Sequence, residues 1–296
     1  MLHKLFIEYN LITLRDMLPI NHIPKILKWL PVALTTLLIA PLSQASFVLM
    51  EDFESFSATD ALNSSANWSG GGGYTAETVA GTLAATTSNE PSALNLDISA
   101  NQIAAGNTGT VFFQFRIDSS VPVAQSDDAT TLDFNTGVAP GPVSGTSNTQ
   151  GAYINLGANG ADNRTLQGRD GSNQNNLKTG LNADSWYNIW LVLDNGDTTT
   201  SENEIYDIYL SEGRTNTLAP TSVANDFAFR DTPNGNPVDT IFLNKFRDAP
   251  GAYFDNYYVD STAENLVNPV PEPGIYALLF GALSAAFVMI VRRREA

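Results

Sequence analysis

Cysteine is absent from all 296 residues, so neither a disulfide framework nor a thiolate-bound metal can hold this fold. Histidine is almost absent: His3 and His22 are the two present, and both precede the point where an export leader would be cut. A mature body without either residue has no Ser-His-Asp or Cys-His nucleophile system and no histidine-bound zinc. A polysaccharide lyase working through a histidine base is disfavoured on the same ground. Positive charge is scarce as well. Between Ser46 and Val270 there are 8 Lys and Arg against 27 Asp and Glu, a net of −19. Such a surface opposes nucleic acid and anionic lipid and suits a secreted, solvated protein. From Phe47 to Leu266 no stretch keeps a helical period over three turns.

What the chain does have are two apolar ends. Near the start, Lys25 and Lys28 precede the apolar run Trp29 to Ala40, followed by Pro41-Leu42-Ser43-Gln44-Ala45. This order of basic, apolar and small-x-small segments is that of a secretory signal peptide passed through a translocon, spanning residues 1–45, with cleavage between Ala45 and Ser46. Met17 offers a second start that would leave a signal of 29 residues. The alternative is an uncleaved N-terminal anchor.

At the other end, Pro271-Glu272-Pro273 stands directly before an uncharged run of 18 residues, Gly274 to Val291, closed by Arg292-Arg293-Arg294. As a helix that run spans roughly 27 Å, enough for a bilayer core, and the arginines belong on the cytoplasmic side. The prolines keep the preceding chain extended and start the helix at about Gly274. The tripartite order resembles the PEP-CTERM sorting signal of Gram-negative bacteria. The resemblance implies recognition of Pro271, Glu272 and Pro273 by the membrane enzyme exosortase and removal of the tail. An ordinary tail anchor is the plainer reading. Ser261 to Val270 reads as a short polar linker before the sorting word.

Between the ends, short apolar alternations broken by Gly, Asn, Asp, Ser and Thr predict an all-β sandwich over residues 46–260. In Thr110 to Asp118, Val111, Phe113, Phe115 and Ile117 share one face. Trp186 to Leu193 is apolar on both faces apart from Asn188 and so belongs inside a sheet, and Glu204 to Ser211 returns beyond an Asn195-Gly196 turn. Further strands are expected at Val238 to Phe246 and Ala252 to Asp260, with a pair at Gly151 to Leu156 and Arg164 to Gly168. Gly70 to Gly73 reads as a flexible loop; it has no phosphate-loop lysine, so a nucleotide site is excluded.

Several pieces in this order resemble the concanavalin A-like, laminin G-like jelly-roll superfamily. They are Glu51 to Phe56 with Trp68, the pair Trp186 to Leu193 and Ile205 to Leu210, and Phe254 to Val259 as a closing strand. The resemblance implies a two-sheet antiparallel jelly-roll sandwich whose closing strand lies beside the first. That scaffold hosts glycan-binding modules, glycosidases, lyases and adhesive domains.

Chemistry is sparse. Glu202, Glu204 and Asp207 form the nearest carboxylate cluster, but Glu204 and Asp207 should point to opposite faces of a strand, which disfavours an acid–base pair. Asp194, Asn195 and Asp197 crowd one turn and make calcium the metal to consider; no other cofactor is indicated. Trp68 and Tyr74, flanking the glycine run, are the candidate sugar-stacking rings. The reading is an exported, non-catalytic surface or matrix protein associated with exopolysaccharide or biofilm. Its rivals are a two-carboxylate glycan hydrolase and a structural or adhesive protein without a sugar site.

Overall fold

The computed structural model describes residues 47–70, 73–87, 92–123, 132–144, 151–157, 164–196, 204–216, 218–230, 235–245 and 251–270, with Ser284 alone beyond them. The leader, its Ala45–Ser46 junction, and Pro271, Glu272, Pro273, Arg292, Arg293 and Arg294 lie outside the described residues. Among the described residues, no helix is long and apolar enough to cross a membrane.

Fifteen strands run in chain order: β1 (Val48–Glu51), β2 (Trp68–Gly70), β3 (Tyr74–Val79), β4 (Thr82–Thr87), β5 (Ser92–Asp97), β6 (Thr108–Ile117), β7 (Phe134–Ala139), β8 (Tyr153–Leu156), β9 (Leu166–Asp170), β10 (Asn173–Lys178), β11 (Trp186–Asn195), β12 (Glu204–Glu212), β13 (Thr221–Ala228), β14 (Thr240–Lys245) and β15 (Ala252–Asp260). They form two antiparallel sheets. Sheet A has the order β13-β12-β11-β6-β15-β4-β3, with β1 also on β15; sheet B has the order β10-β9-β8-β7-β14-β5-β2. The closing strand does lie beside the first: Val48 pairs with Val259 and Leu49 with Tyr258.

The core lies between the sheets and follows from alternation. Val111, Phe113, Phe115 and Ile117 of β6 all point inward and are fully buried, as are Ile189, Leu191 and Leu193 of β11. Rings bind the layers together: Phe134 of sheet B packs against Phe254 of sheet A at 4.6 Å and edge-on to Tyr74 at 6.0 Å. Between the sheets, Thr136 Oγ1 donates to the Phe242 carbonyl at 2.9 Å, which leaves it to accept from Tyr257 Oη at 3.0 Å.

The outer face of sheet A is closed by the chain itself, and this corrects the linker reading of Ser261 to Val270. After β15 the chain turns across β6 and β11. Thr110 Oγ1 donates to the Ala263 carbonyl at 3.0 Å and accepts from the Asn265 amide at 2.9 Å. Trp190 Nε1 donates to the Val267 carbonyl at 3.1 Å, and Asn268 Nδ2 reaches the Arg214 and Asn216 carbonyls, both at 3.2 Å. Trp190 and Phe112, which point away from the main core, are fully buried. That is why β11 reads as apolar on both faces.

Beside this segment lies a polar network. Gln114 Nε2 donates to Asn188 Oδ1 and to the Arg214 carbonyl, each at 2.6 Å, and Asn256 Nδ2 donates to Gln114 Oε1 at 2.9 Å. Asn188 Nδ2 reaches Ser211 Oγ at 3.0 Å. A bulge in β15 between Asp255 and Tyr258, with Asn256 at φ 55°, turns two neighbouring polar residues to this face. Arg214 pairs with the fully buried Asp255 carboxylate, also bonds Thr82 Oγ1 at 3.0 Å, and lies over the Trp186 ring at 5.0 Å.

Candidate functional site

The outer face of sheet B is built differently. On β14, β7, β8, β9 and β10 the inward residues feed the core, so alternation sends their neighbours outward. Register then aligns one amide per strand. Asn244 stands opposite Asn135, Asn135 opposite Asn155, Asn155 opposite Gln167, and Gln167 opposite Asn176. Five strands at the usual spacing make a row roughly 19 Å long.

Two members bond each other, Gln167 Nε2 donating to Asn176 Oδ1 at 2.6 Å. The other three do not bond one another. Asn155 Nδ2 donates to Asp133 Oδ1 at 3.2 Å, but Asn155 Oδ1, Asn135 Oδ1 and both polar atoms of Asn244 have no partner. These residues are 5%, 4% and 0% exposed respectively. A buried polar atom left unpaired costs about 1–3 kcal/mol, and folds ordinarily satisfy such atoms. This fold does so elsewhere: Gln114, Asn188 and Asn256 on sheet A are bonded, and Asn95 on β5 exchanges two bonds with the Val143 backbone at 2.8 and 3.0 Å. Among the described residues, Arg116 Nε, Trp186 Nε1 and Asn195 Oδ1 on sheet A and Tyr153 Oη and Arg169 Nε on sheet B are likewise buried without a partner; the row differs from these in having three such residues side by side.

The next line of the same face is aromatic. Tyr153 and Phe242 flank Gly137, with ring centroids 6.1 Å apart, and cluster with Ala139 and Val143. A side chain at Gly137 would run into Tyr153 and the Ala152 carbonyl, so glycine keeps these strands close. Arg230 lies over the Tyr153 ring at 5.8 Å, and Arg169 donates to the Ser172 carbonyl at 2.7 Å. Farther along, a hollow of about 250 Å³ is lined by Ser69, Asn95, Asp97, Ser99, Asp239 and Thr240, with Pro142 at its wall. The Ser99 backbone amide and hydroxyl hold the Asp97 carboxyl below its usual range, so it stays ionised.

The predicted site residues fall elsewhere. Trp68 and Tyr74 are not loop rings: they lie in β2 and β3, point into the core and are 3% and 1% exposed. Trp68 stacks on Phe53 at 5.8 Å and its Nε1 donates to Glu51 Oε2 at 2.9 Å, while Tyr74 packs edge-on to Phe134 at 6.0 Å. Neither presents a face to a sugar. Asp194 and Asn195 are successive residues of β11 and so point to opposite faces of sheet A. Asn195 Nδ2 donates to the Ile103 and Asn236 carbonyls at 2.9 and 3.0 Å, and Asp194 Oδ1 accepts from the Gly196 amide at 3.3 Å. Asp197 lies outside the described residues. Among the described residues no group of three or more Asp, Glu, His or Cys could hold a metal ion. Glu204 and Asp207 do face opposite ways: Glu204 is buried and accepts from the Gly235 amide at 2.9 Å, and Asp207 is part-exposed and accepts from the Asp226 amide at 2.8 Å. Glu202 lies outside the described residues.

No family model matches the chain, and no curated protein matches it in sequence. Among solved structures it is similar to an endo-β-1,4-glucuronan lyase from the fungus Trichoderma reesei, at 13% identity and TM-score 0.45, over 77% of this chain and 100% of that one. Peanut lectin is similar at 9% identity and TM-score 0.45, over 73% and 97%. A marine alginate lyase from Aplysia kurodai is similar at 10% identity and TM-score 0.41, over 63% and 86%. Likeness this loose assigns this chain neither an activity nor a ligand.

Proposed function

We propose that this chain is an exported, non-catalytic protein of the cell surface or extracellular matrix whose jelly-roll body binds exopolysaccharide on the outer face of sheet B. The observation that carries the reading is the polar hollow on that face, where Ser69, Asp97 and Ser99 are exposed beside Asn95, Asp239 and Thr240, with Pro142 at the wall. Glycan sites combine such hydrogen-bonding groups with apolar surface. The corresponding face of sheet A is occupied across β6 and β11 by residues 261–270. Full-length protein in detergent, applied to a polysaccharide array, is expected to be retained without shortening the polymers. Shortening would instead mark a hydrolase or lyase, and no retention would mark a structural protein.

Delivery is proposed to run through the two ends. The leader takes the chain through the secretion translocon, and the apolar run 274–291 holds it briefly in the inner membrane. An exosortase-type enzyme then recognises Pro271-Glu272-Pro273 and removes the tail. Glu272→Ala is expected to strand full-length protein in the inner membrane, read by fractionation and blotting. Release at the ordinary rate would count against the sorting signal.

A further inference from the structure

Among the described residues five large apolar side chains are exposed: Val48, Leu49, Val123, Leu218 and Val267. Four of them gather around the segment 261–270 that crosses sheet A. Val267 belongs to that segment and is 46% exposed, and Leu218 follows Asn216, whose carbonyl Asn268 Nδ2 reaches at 3.2 Å. Val48 and Leu49, each 43% exposed, lie on β1 beside Val259 and Tyr258 of β15, the strand from whose end the segment starts. Val123 stands apart, past the far end of β6.

The sheet beneath these residues is aromatic. Register places Leu49 opposite Tyr258, Tyr258 opposite Phe112, Phe112 opposite Trp190 and Trp190 opposite Tyr209, one row across five strands. The segment covers the middle of the row at Phe112 and Trp190, and leaves Tyr258 and Tyr209 half-buried at either side. Phe47 packs edge-on to both Phe112 and Tyr258 at 6.3 Å. Apolar side chains mixed with tyrosine and tryptophan are the composition that settles at the boundary between lipid and water.

The covalent chain points to the occupant of this face. Asn268 is bonded to it, and Pro271, Glu272 and Pro273 are the residues between Val270 and the apolar run 274–291. Whenever that run lies in a bilayer, this patch is the part of the body nearest the lipid. Phe47 comes two residues after Ala45, so the chain passes through the same face at both ends of the body. We infer that the outer face of sheet A along residues 261–270 rests on the lipid surface of the anchored protein through Leu49, Leu218 and Val267, an inference that rests on the anchor reading above. The hollow, on the outer face of the opposite sheet, is then turned toward the polymer. Charge does not draw the body down, because Glu264 of the segment is exposed and the whole chain carries a formal charge of −16. The contact is therefore apolar and insensitive to salt.

The chain has no cysteine, so Leu49→Cys, Val267→Cys, Val123→Cys and Ser99→Cys each take a single bimane label. The full chain, purified from membranes in detergent, is reconstituted into phosphatidylcholine vesicles with or without a headgroup-proximal nitroxide lipid, and its attachment is read by flotation. Labels at 49 and 267 should shift to the blue, be quenched by the nitroxide lipid and lose their quenching by aqueous acrylamide. The result should be the same at low salt and at about 0.5 M salt, where exposed charge pairs are screened. Labels at 123 and 99 should stay open to water. Floating protein whose labels at 49 and 267 are as open to water as that at 99 would overturn the lipid-facing surface and leave the anchor standing. Protection of those two labels without nitroxide quenching would mean that a second copy covers the face, which also overturns it. A chain that does not float would overturn both readings.

Discussion

Asn244→Leu is expected to stabilise the protein, against the usual direction for a substitution at a buried position. Leucine has the same number and branching of side-chain heavy atoms as asparagine, though its methyl groups are bulkier, and it brings no polar atoms. Asn244 sits on β14 between Ala93 and Asn135, fully buried, with neither amide atom bonded. Removing two unpaired polar atoms should therefore recover about 1–3 kcal/mol, although most substitutions at buried positions destabilise. Urea denaturation should show a higher midpoint with an unchanged slope. A lower midpoint would show that the amide is bonded in the folded protein, or that the bulkier side chain cannot be accommodated.

Stability should also fall as pH rises, through one buried acid. Burial pushes the Asp255 carboxyl from 3.8 up to about 8, against the pull of the Arg214 guanidinium, the Asn256 amide and the Thr82 hydroxyl. Between those two values the folded protein keeps the proton and the unfolded chain releases it. The unfolded state therefore gains with each step upward in pH. The stability associated with this group is complete in acid below about pH 4, is lost through the neutral range, and levels off above about pH 8. Each unit of difference is worth about 1.4 kcal/mol. Denaturation at about pH 5 and about pH 8.5 should show the wild type markedly weaker at the higher value, and Asp255→Asn should flatten the difference. The acidic surface weakens both proteins in the same direction, so the readout is the difference between their slopes. Parallel slopes would mean that Asp255 does not titrate in this range.

The strands that were legible in the sequence are those with bulky alternation. Thr110 to Asp118, Trp186 to Leu193, Glu204 to Ser211 and Ala252 to Asp260 match β6, β11, β12 and β15 closely, because their apolar faces must meet the opposite sheet. Strands made of small or polar residues gave no such signal. Thr82–Thr87, Phe134–Ala139 and, at the sheet edge, Asn173–Lys178 become strands through the strands they pair with more than through their own side chains. Trp68 was misread because glycines follow it. Gly70, at φ 122°, closes β2 against β5 where a Cβ would strike the Ala93 carbonyl, so it serves close pairing and not a flexible loop. The amide row was out of reach for a different reason. Asn244 arrives from β14, which inserts between β7 and β5, and only the register of five strands brings the amides into line.

If the apolar run anchors the chain as proposed, the bonded course of residues 261–270 sets how far the body can stand from the membrane. Ten residues of free, extended chain would reach roughly 33 Å, long enough for the sandwich to swing and turn above the lipid. With the segment fastened at Thr110, Trp190 and the Arg214 carbonyl, none of that reach is available before Asn268. Pro271, Glu272 and Pro273 then separate the folded surface from the apolar run at Gly274, roughly 10 Å of extended chain. On the proposed anchor, the protein would be held upright on a stub too short to pivot on, and cutting at that word would free it to rotate for the first time.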